Sequence, residues 1–221
     1  MPGRRVYGQF CGLVRALEIV GERWALLIVR DLLVGPRRFS DLRRGLPRIP
    51  TNVLTERLRE LERAGVVRRR LLPRPAAAVV YELTEYGQDL EEVVLTLGRW
   101  GARSMTEPRP DEILTADSLV IAMRACFRPD KARGHDLRYQ LRLGPIALWV
   151  HVEDGRLEVT QDSGHDADLI IEAGPSIRAL MARELSPAAA LASGAVRITG
   201  NAELLDRFVD IFTIPPAPAR L

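Results

Sequence analysis

Cysteine is nearly absent from this 221-residue chain, where only Cys11 and Cys126 occur. A disulfide framework is therefore not indicated, reduced thiols are the default, and nothing in the spacing suggests a metal site. Lysine is rarer still, with a single Lys131 beside 31 arginines. No apolar run approaches the roughly 18 to 20 residues that cross a bilayer. The N-terminal stretch MPGRRVYGQFCGLVRAL lacks the long apolar core of a secretion signal, so the chain is expected in the cytoplasm with no membrane partner. Enzyme signatures are missing as well: there is no Gly-x-Ser-x-Gly, no phosphate-cradling glycine loop and no zinc spacing. His135, His151 and His165 are scattered, and the acidic stretch DSGHDAD (162–168) reads as a polar loop. Neither catalysis nor a cofactor nor a metal is expected.

What the chain does have is enough length for two domains of roughly 100 residues each. Its 47% hydrophobic and 28% charged residues suit a folded, soluble chain. The net charge of +3 conceals a division. Residues 1–106 hold 19 Arg against 12 acids, a net of +7, and the remainder carries −4. Within the first half, residues 37–74 contain 12 Arg and 4 acids. This +8 segment accounts for the whole surplus, and so concentrated a basic patch favours a polyanionic partner. A bias in base composition would inflate arginine everywhere, but it does not explain why acids are missing from one segment.

From Gly12 to Val34 the residues Leu13, Ala16, Leu17, Val20, Trp24, Leu27, Ile28 and Leu32 recur at helical spacing, and Gly21 divides the run into two helices. Gly35-Pro36 ends the second. Ser40 is placed to cap a short helix holding Leu42 and stopped by Gly45. After the turn LPRIP a new helix begins near Thr51, with Leu54, Leu58 and Leu61 on one core-facing stripe. Asn52, Glu56, Arg59 and Arg63 lie nearly opposite that stripe, and Thr55 lies on a flank. Val66 to Leu72 has strand character, PRPAAA turns, and VVYEL is a second strand. A helix with an outward polar face followed by two short strands describes a winged helix-turn-helix, whose helix enters the major groove of duplex DNA while the wing touches phosphate or the minor groove.

The chemistry sorts the contacts. Asn52 and Thr55 lie in the first turn, where recognition helices meet base edges, and Asn pairs with adenine through two hydrogen bonds; Thr51 at the helix start is a further candidate DNA contact. Arg59 and the wing residues Arg68, Arg69, Arg70 and Arg74 supply charge to the backbone. Glu56 either accepts from cytosine or balances a neighbouring Arg. Arg57, at the stripe's edge, either reaches a phosphate or pairs with an acid inside the protein. From Thr84 to Met105 a further helix carries Leu90, Val93, Val94, Leu97 and Trp100, read in part as a homodimer interface and otherwise as ordinary core.

These residues resemble the HxlR-like winged-helix transcriptional regulators over roughly residues 11–105. The resemblance rests on Gly21-x-x-Trp24, Arg38-Phe39-Ser40-x-Leu42, Leu54-Thr55-x-Arg57-Leu58-x-x-Leu61-Glu62-x-x-Gly65 and Tyr81-x-Leu83-Thr84. It implies a homodimer on a pseudopalindromic operator. There are departures. Where the family often begins its recognition helix with Ser-Pro, this chain has Pro50-Thr51, so capping is expected to pass to Thr51. Where many members have Cys-Pro, it has Cys11-Gly12. Some relatives sense oxidants through that cysteine, so redox sensing through Cys11 is an alternative, although the nearest basic residue in sequence is Arg15. The wing tip reads PAAAVV, leaving minor-groove contact to Arg74.

MTEPRPDE reads as a linker where the sign of charge changes. Beyond it come a helix in DEILTADSLVIAMRACF, an alternating strand at 137–143, an extended segment at 146–153, a hairpin at Asp154-Gly155 into RLEVTQ, a fourth strand ADLIIE, two short helices, a fifth strand AVRIT and an amphipathic helix NAELLDRFVDIF. The fold class is thus α+β, a mainly α winged helix-turn-helix followed by a five-stranded sheet with helices. The expected domains are 1–106, a linker at 107–112, 113–214 and a Pro-rich tail at 215–221. The second domain resembles the sterol carrier protein domain, most closely in ADLIIEAGPSIRALMARELSPAAALASGAVRITGNAELLDRFVDIF. That resemblance implies an apolar cavity for a lipid-like effector. Met123, Trp149, Leu204, Leu205, Phe208 and Phe212 are the candidates to line it; the domain otherwise stabilises the dimer and binds nothing. A lipid carrier without DNA activity is the remaining alternative, and it leaves the basic segment unexplained.

Overall fold

The computed structural model describes residues 7–75, 77–161 and 166–216. His165 and part of the acidic loop, the end of the Pro-rich tail and Ala76 at the wing tip lie outside the described residues. The chain divides into two compact units, Met1–Val94 and Leu95–Leu221.

In the first unit, α1 (Gly12–Val20) and α2 (Ala25–Val34) are separated at Gly21 as expected. The Gly21 N–H returns to the Leu17 carbonyl at 2.9 Å, and a Cβ on Gly21 would stand 2.4 Å from that oxygen, so the turn needs glycine. Helix α3 (Phe39–Gly45) is not capped by Ser40. It starts two residues earlier than expected, which puts Ser40 inside the first turn, and Asp41 accepts instead from the Arg38 N–H at 3.1 Å. Helix α4 (Thr51–Arg63) buries Leu54, Leu58 and Leu61. Thr51 does not cap it, because Pro50 occupies the capping position and Thr51 is the first helical residue. Gly65, at φ +73°, ends the helix with the left-handed turn that returns the Val66 N–H to the Leu61 carbonyl at 2.9 Å.

Strands β1 (Val67–Leu71) and β2 (Val79–Leu83) form an antiparallel hairpin with Val67 opposite Leu83 and Leu71 opposite Val79. A short third edge was not foreseen: Arg37 and Tyr81 exchange backbone hydrogen bonds of 3.0 and 2.8 Å, tying the segment before α3 to the wing. The helix expected from Thr84 is two. Thr84 caps α5 (Glu85–Gln88), and α6 (Leu90–Ala102) follows after Asp89, its residues from Leu95 onward belonging to the second unit. The Thr84 hydroxyl donates to the Gly65 carbonyl at 2.6 Å and accepts from the Gly87 N–H at 3.0 Å.

In the second unit, α7 (Ala116–Cys126) begins at a Thr115–Ser118 capping box, so residues 111–114 are not helical as expected. A one-turn helix, α8 (Pro129–Ala132), precedes β3 (Asp136–Leu143), β4 (Ile146–Glu153) and β5 (Arg156–Thr160). Then come β6 (Leu169–Ala173), α9 (Ser176–Met181), α10 (Pro187–Ala192), β7 (Val196–Gly200) and α11 (Glu203–Ile211). The five strands lie in the order β5-β4-β3-β6-β7, with only the β3–β6 pair parallel. Tyr139 of β3 packs edge-on against Phe208 with centroids 5.4 Å apart, and Phe212 stacks within 4.9 Å of Phe208 and 5.7 Å of Phe127. This aromatic cluster fills the centre of the second core.

Candidate nucleic-acid interface

Burying the leucine stripe of α4 leaves Thr51, Asn52, Glu56, Arg59 and Arg63 exposed and Thr55 half-buried. The Thr55 hydroxyl donates to the Thr51 carbonyl at 2.9 Å, so toward solvent it offers an acceptor and a methyl group rather than a donor. Arg57 faces elsewhere. Its side chain is only 13% exposed, bound to Glu60 at 2.5 Å with Glu56 at 3.8 Å and Glu22 at 3.9 Å. Of its two expected roles, pairing inside the protein is the one the structure places. Glu56 correspondingly sits beside a neighbouring Arg.

The wing arginines are exposed, and all three are held by carboxylates. Arg68 and Arg70 each donate to Glu82 at 2.8 Å, and Arg69 donates to Glu62 of α4 at 2.9 Å. Arg74 is exposed near the tip, as are Arg38, Arg43, Arg44 and Arg48 on the approach to α4. Glu82 escaped the sequence reading. Its signal was available once the hairpin was aligned, because Glu82 stands directly opposite Arg68 across the strands.

The hydrogen bond from Arg70, reinforced by Arg68 and opposed by burial, holds the Glu82 carboxyl below its ordinary value. A depressed carboxylate stabilises the fold above the unfolded value of about 4.3 and loses that contribution as the pH falls through the folded value. Glu82→Gln is therefore expected to lower stability at neutral pH by about 1 kcal/mol, after allowing for the exposure of both arginines. Thermal unfolding of the two proteins should converge as the pH drops below about 4. A gap that is constant from pH 7 to pH 3 would show that the pair contributes nothing.

Cys11 is exposed and precedes α1. Its sulfur makes no capping hydrogen bond, yet the N–H groups of Val14 and then Leu13 at the helix N-terminus bring its pKa below the ordinary thiol value. Arg15, the nearest cation in sequence, is taken up by Glu18 at 2.8 Å. Cys126 is the opposite case: burial pushes its pKa up to about 11.

The six residues expected to line an effector cavity do not share one site. Met123, Leu205, Phe208 and Phe212 are fully buried in the aromatic core, and Leu204 is half-buried beside them on α11. Trp149 points to the other face of the sheet. Strand alternation sends Leu148 and Val150 inward and Trp149 outward, next to His151 with ring centroids 5.3 Å apart. Among the described residues no cluster of three or more His, Cys, Asp or Glu is arranged to hold a metal, and no helix is long and apolar enough to cross a membrane.

A family model described as HxlR-like helix-turn-helix matches residues 19–109, and one described as the SCP-2 sterol transfer family matches residues 128–213. The chain is 38% identical over 93 residues to the HTH-type transcriptional regulator YdeP of Bacillus subtilis strain 168, covering 42% of this chain and 73% of the relative. It is 39% identical over 93 residues to YodB of the same organism, an HTH-type transcriptional regulator, covering 42% of this chain and 82% of the relative. The solved structure of the redox regulator HypR in its oxidized form is 34% identical, spans 44% of this chain and all of HypR, and superposes with a TM-score of 0.41.

Proposed function

This chain belongs to the HxlR-like helix-turn-helix family, and from that premise we propose that it is a homodimer that seats one α4 per protomer in successive major grooves of a pseudopalindromic operator. It is a helix-turn-helix transcriptional regulator rather than an enzyme, as its relatives are, and it carries a sterol carrier protein-like domain. The observation that carries the proposal is the two-sidedness of α4, with three buried leucines on one side and Asn52, Arg59 and Arg63 exposed on the other. Exposed cations before the helix and along the wing flank it, and a DNA partner places the protein in the cytoplasm.

Base reading is assigned to Asn52 and Thr55, backbone contact to Thr51, Arg59, Arg68, Arg69, Arg70 and Arg74. Selection of bound sequences from a random duplex pool tests this assignment. Asn52→Ala should relax the preference at one position per half-site by about 1–3 kcal/mol while leaving non-specific affinity unchanged. A variant with the same selected consensus as the parent would remove Asn52 from the reading set.

Response to an oxidant is favoured over response to an apolar ligand by the exposure and lowered pKa of Cys11, whereas the expected ligand residues are mostly packed against one another. The Cys11 thiolate attacks a hydroperoxide, the O–O bond breaks as the S–O bond of a sulfenic acid forms, and the departing hydroxide or alkoxide takes a proton from solvent to leave as water or alcohol. Hydrogen peroxide is then expected to change operator affinity at least tenfold, reversibly with a thiol reductant, and Cys11→Ser should abolish the change. Equal responses of parent and variant would exclude this thiol.

A further inference from the structure

A cleft of about 360 Å³ lies between the α1–α2 turn and the first two turns of α4. Trp24, Pro50 and Val53 give it apolar walls, and Arg23, Arg48 and Glu22 line its polar side together with Arg57, which is already held by Glu60. Trp24 stands at φ 81°, the left-handed region that bulky side chains avoid, and its side chain makes no cap for α2. The backbone is fixed there by the Ala25 N–H reaching the Glu22 carbonyl at 3.1 Å and the Ile28 N–H reaching the Trp24 carbonyl at 2.9 Å. The result is a half-exposed indole on the wall of a cavity, with the Arg23 guanidinium 5.2 Å from its ring centre. Sparsely populated backbone conformations of this kind cluster at active sites, ligand clamps and switch regions.

We propose that this cleft binds a small aromatic carboxylate, its ring against Trp24 and Val53 and its charge met by Arg23 and Arg48. The volume lies at the low end of the range of about 300–1,000 Å³ found for small-molecule sites. It is large enough for one or two fused rings. A phosphate of duplex DNA is the other anion to consider. Pro50, Val53 and Arg57, however, occupy the flank of α4 away from Thr55, not the exposed face that carries Asn52, Glu56 and Arg59. Because the occupant rests on the N-terminal turns of α4, its binding is coupled to the orientation of that helix. The coupling rests on α4 being the recognition helix, and the binding does not.

Reduced full-length protein without DNA is titrated with 1-naphthoate and with the uncharged 1-naphthamide. Binding is followed by calorimetry and by the Trp24 indole N–H resonance, identified by its loss in Trp24→Phe. The expected result is one naphthoate per chain, a shift of the Trp24 resonance, and at least tenfold weaker binding of the amide. Arg48→Gln should weaken naphthoate at least tenfold, and Val53→Trp should abolish binding by filling the cleft, with the helical circular dichroism of both variants unchanged. Equal affinity for acid and amide, undiminished binding by the folded Val53→Trp protein, or a Trp24 shift produced by inorganic phosphate or duplex DNA but not by naphthoate would overturn the site. In a separate arm, saturating naphthoate should change Kd for operator DNA at least threefold at constant salt. Naphthoate bound with Kd for DNA unchanged overturns the coupling, whereas absence of DNA binding altogether leaves the calorimetric result intact and counts against α4 as a reading helix instead.

Discussion

Raising the salt from 50 to 200 mM is expected to weaken binding to duplex DNA by roughly 10³ to 10⁵, the loss that accompanies about 6–10 phosphate contacts. The contacts come from the segment of residues 37–74, where Arg38, Arg43, Arg44, Arg48, Arg59, Arg63 and Arg74 are exposed together. Three to five of these per protomer give the required number for a pair. The wing complicates the count, since Arg68 and Arg70 share Glu82 and Arg69 is held by Glu62. Replacing those three by Ala would strip Glu82 of its partners as well as removing charge, so lost affinity would be hard to assign. Arg59→Ala and Glu82→Gln are cleaner. The first should reduce the salt slope by about one, and the second, by releasing two guanidinium groups, should steepen it by a similar amount. A slope near zero for the parent protein would remove the polyanion from the account.

Placing glutamate in the exposed apolar stripes is expected to have the next largest effect. Phe10, Leu13 and Leu17 lie at helical spacing on and just before α1, and Val93, Leu97 and Trp100 do the same on α6. Trp100 is 68% exposed, an unusual position for so large a ring on a surface helix unless a second copy covers it. Leu13→Glu combined with Leu97→Glu should convert the proposed dimer to a monomer in sedimentation at micromolar concentration. It should also cost roughly 30-fold to 1,000-fold in affinity for a two-half-site operator, the range set by truncating central interface residues. Affinity for an isolated half-site should stay within about twofold, because the reading face of α4 is untouched. A variant that remains dimeric would locate the interface elsewhere.

How much of this was legible depended on how far apart in sequence the cause and its effect lie. The leucine stripe of α4, the alternation of 137–143 and the Asp154-Gly155 hairpin are local patterns, and each appears in the structure as read except that Gln140, a polar position of the alternation, is buried. Features that depend on a partner distant in the chain were not legible. The pairing of Arg68 with Glu82 needs the hairpin register. The Arg37–Tyr81 edge joins residues 44 positions apart, which no periodicity announces. Placing Trp149 with Phe208 and Met123 failed because large apolar residues were grouped by type, while strand parity puts them on opposite sides of the sheet. The left-handed backbone of Trp24 is invisible to any pattern of side chains, since sequence would assign such a conformation to glycine.

Thr84 joins the carbonyl that ends α4 to the N–H of α5 through one hydroxyl, while Glu62 of α4 grips Arg69 of the hairpin. Rod and hairpin are consequently linked at two points, one through a hydroxyl and one through an exposed ion pair. These links favour a fixed gap between the two places at which this chain would touch a duplex, like a caliper set at one opening, so an effector is expected to change where the caliper is held more than how wide it stands.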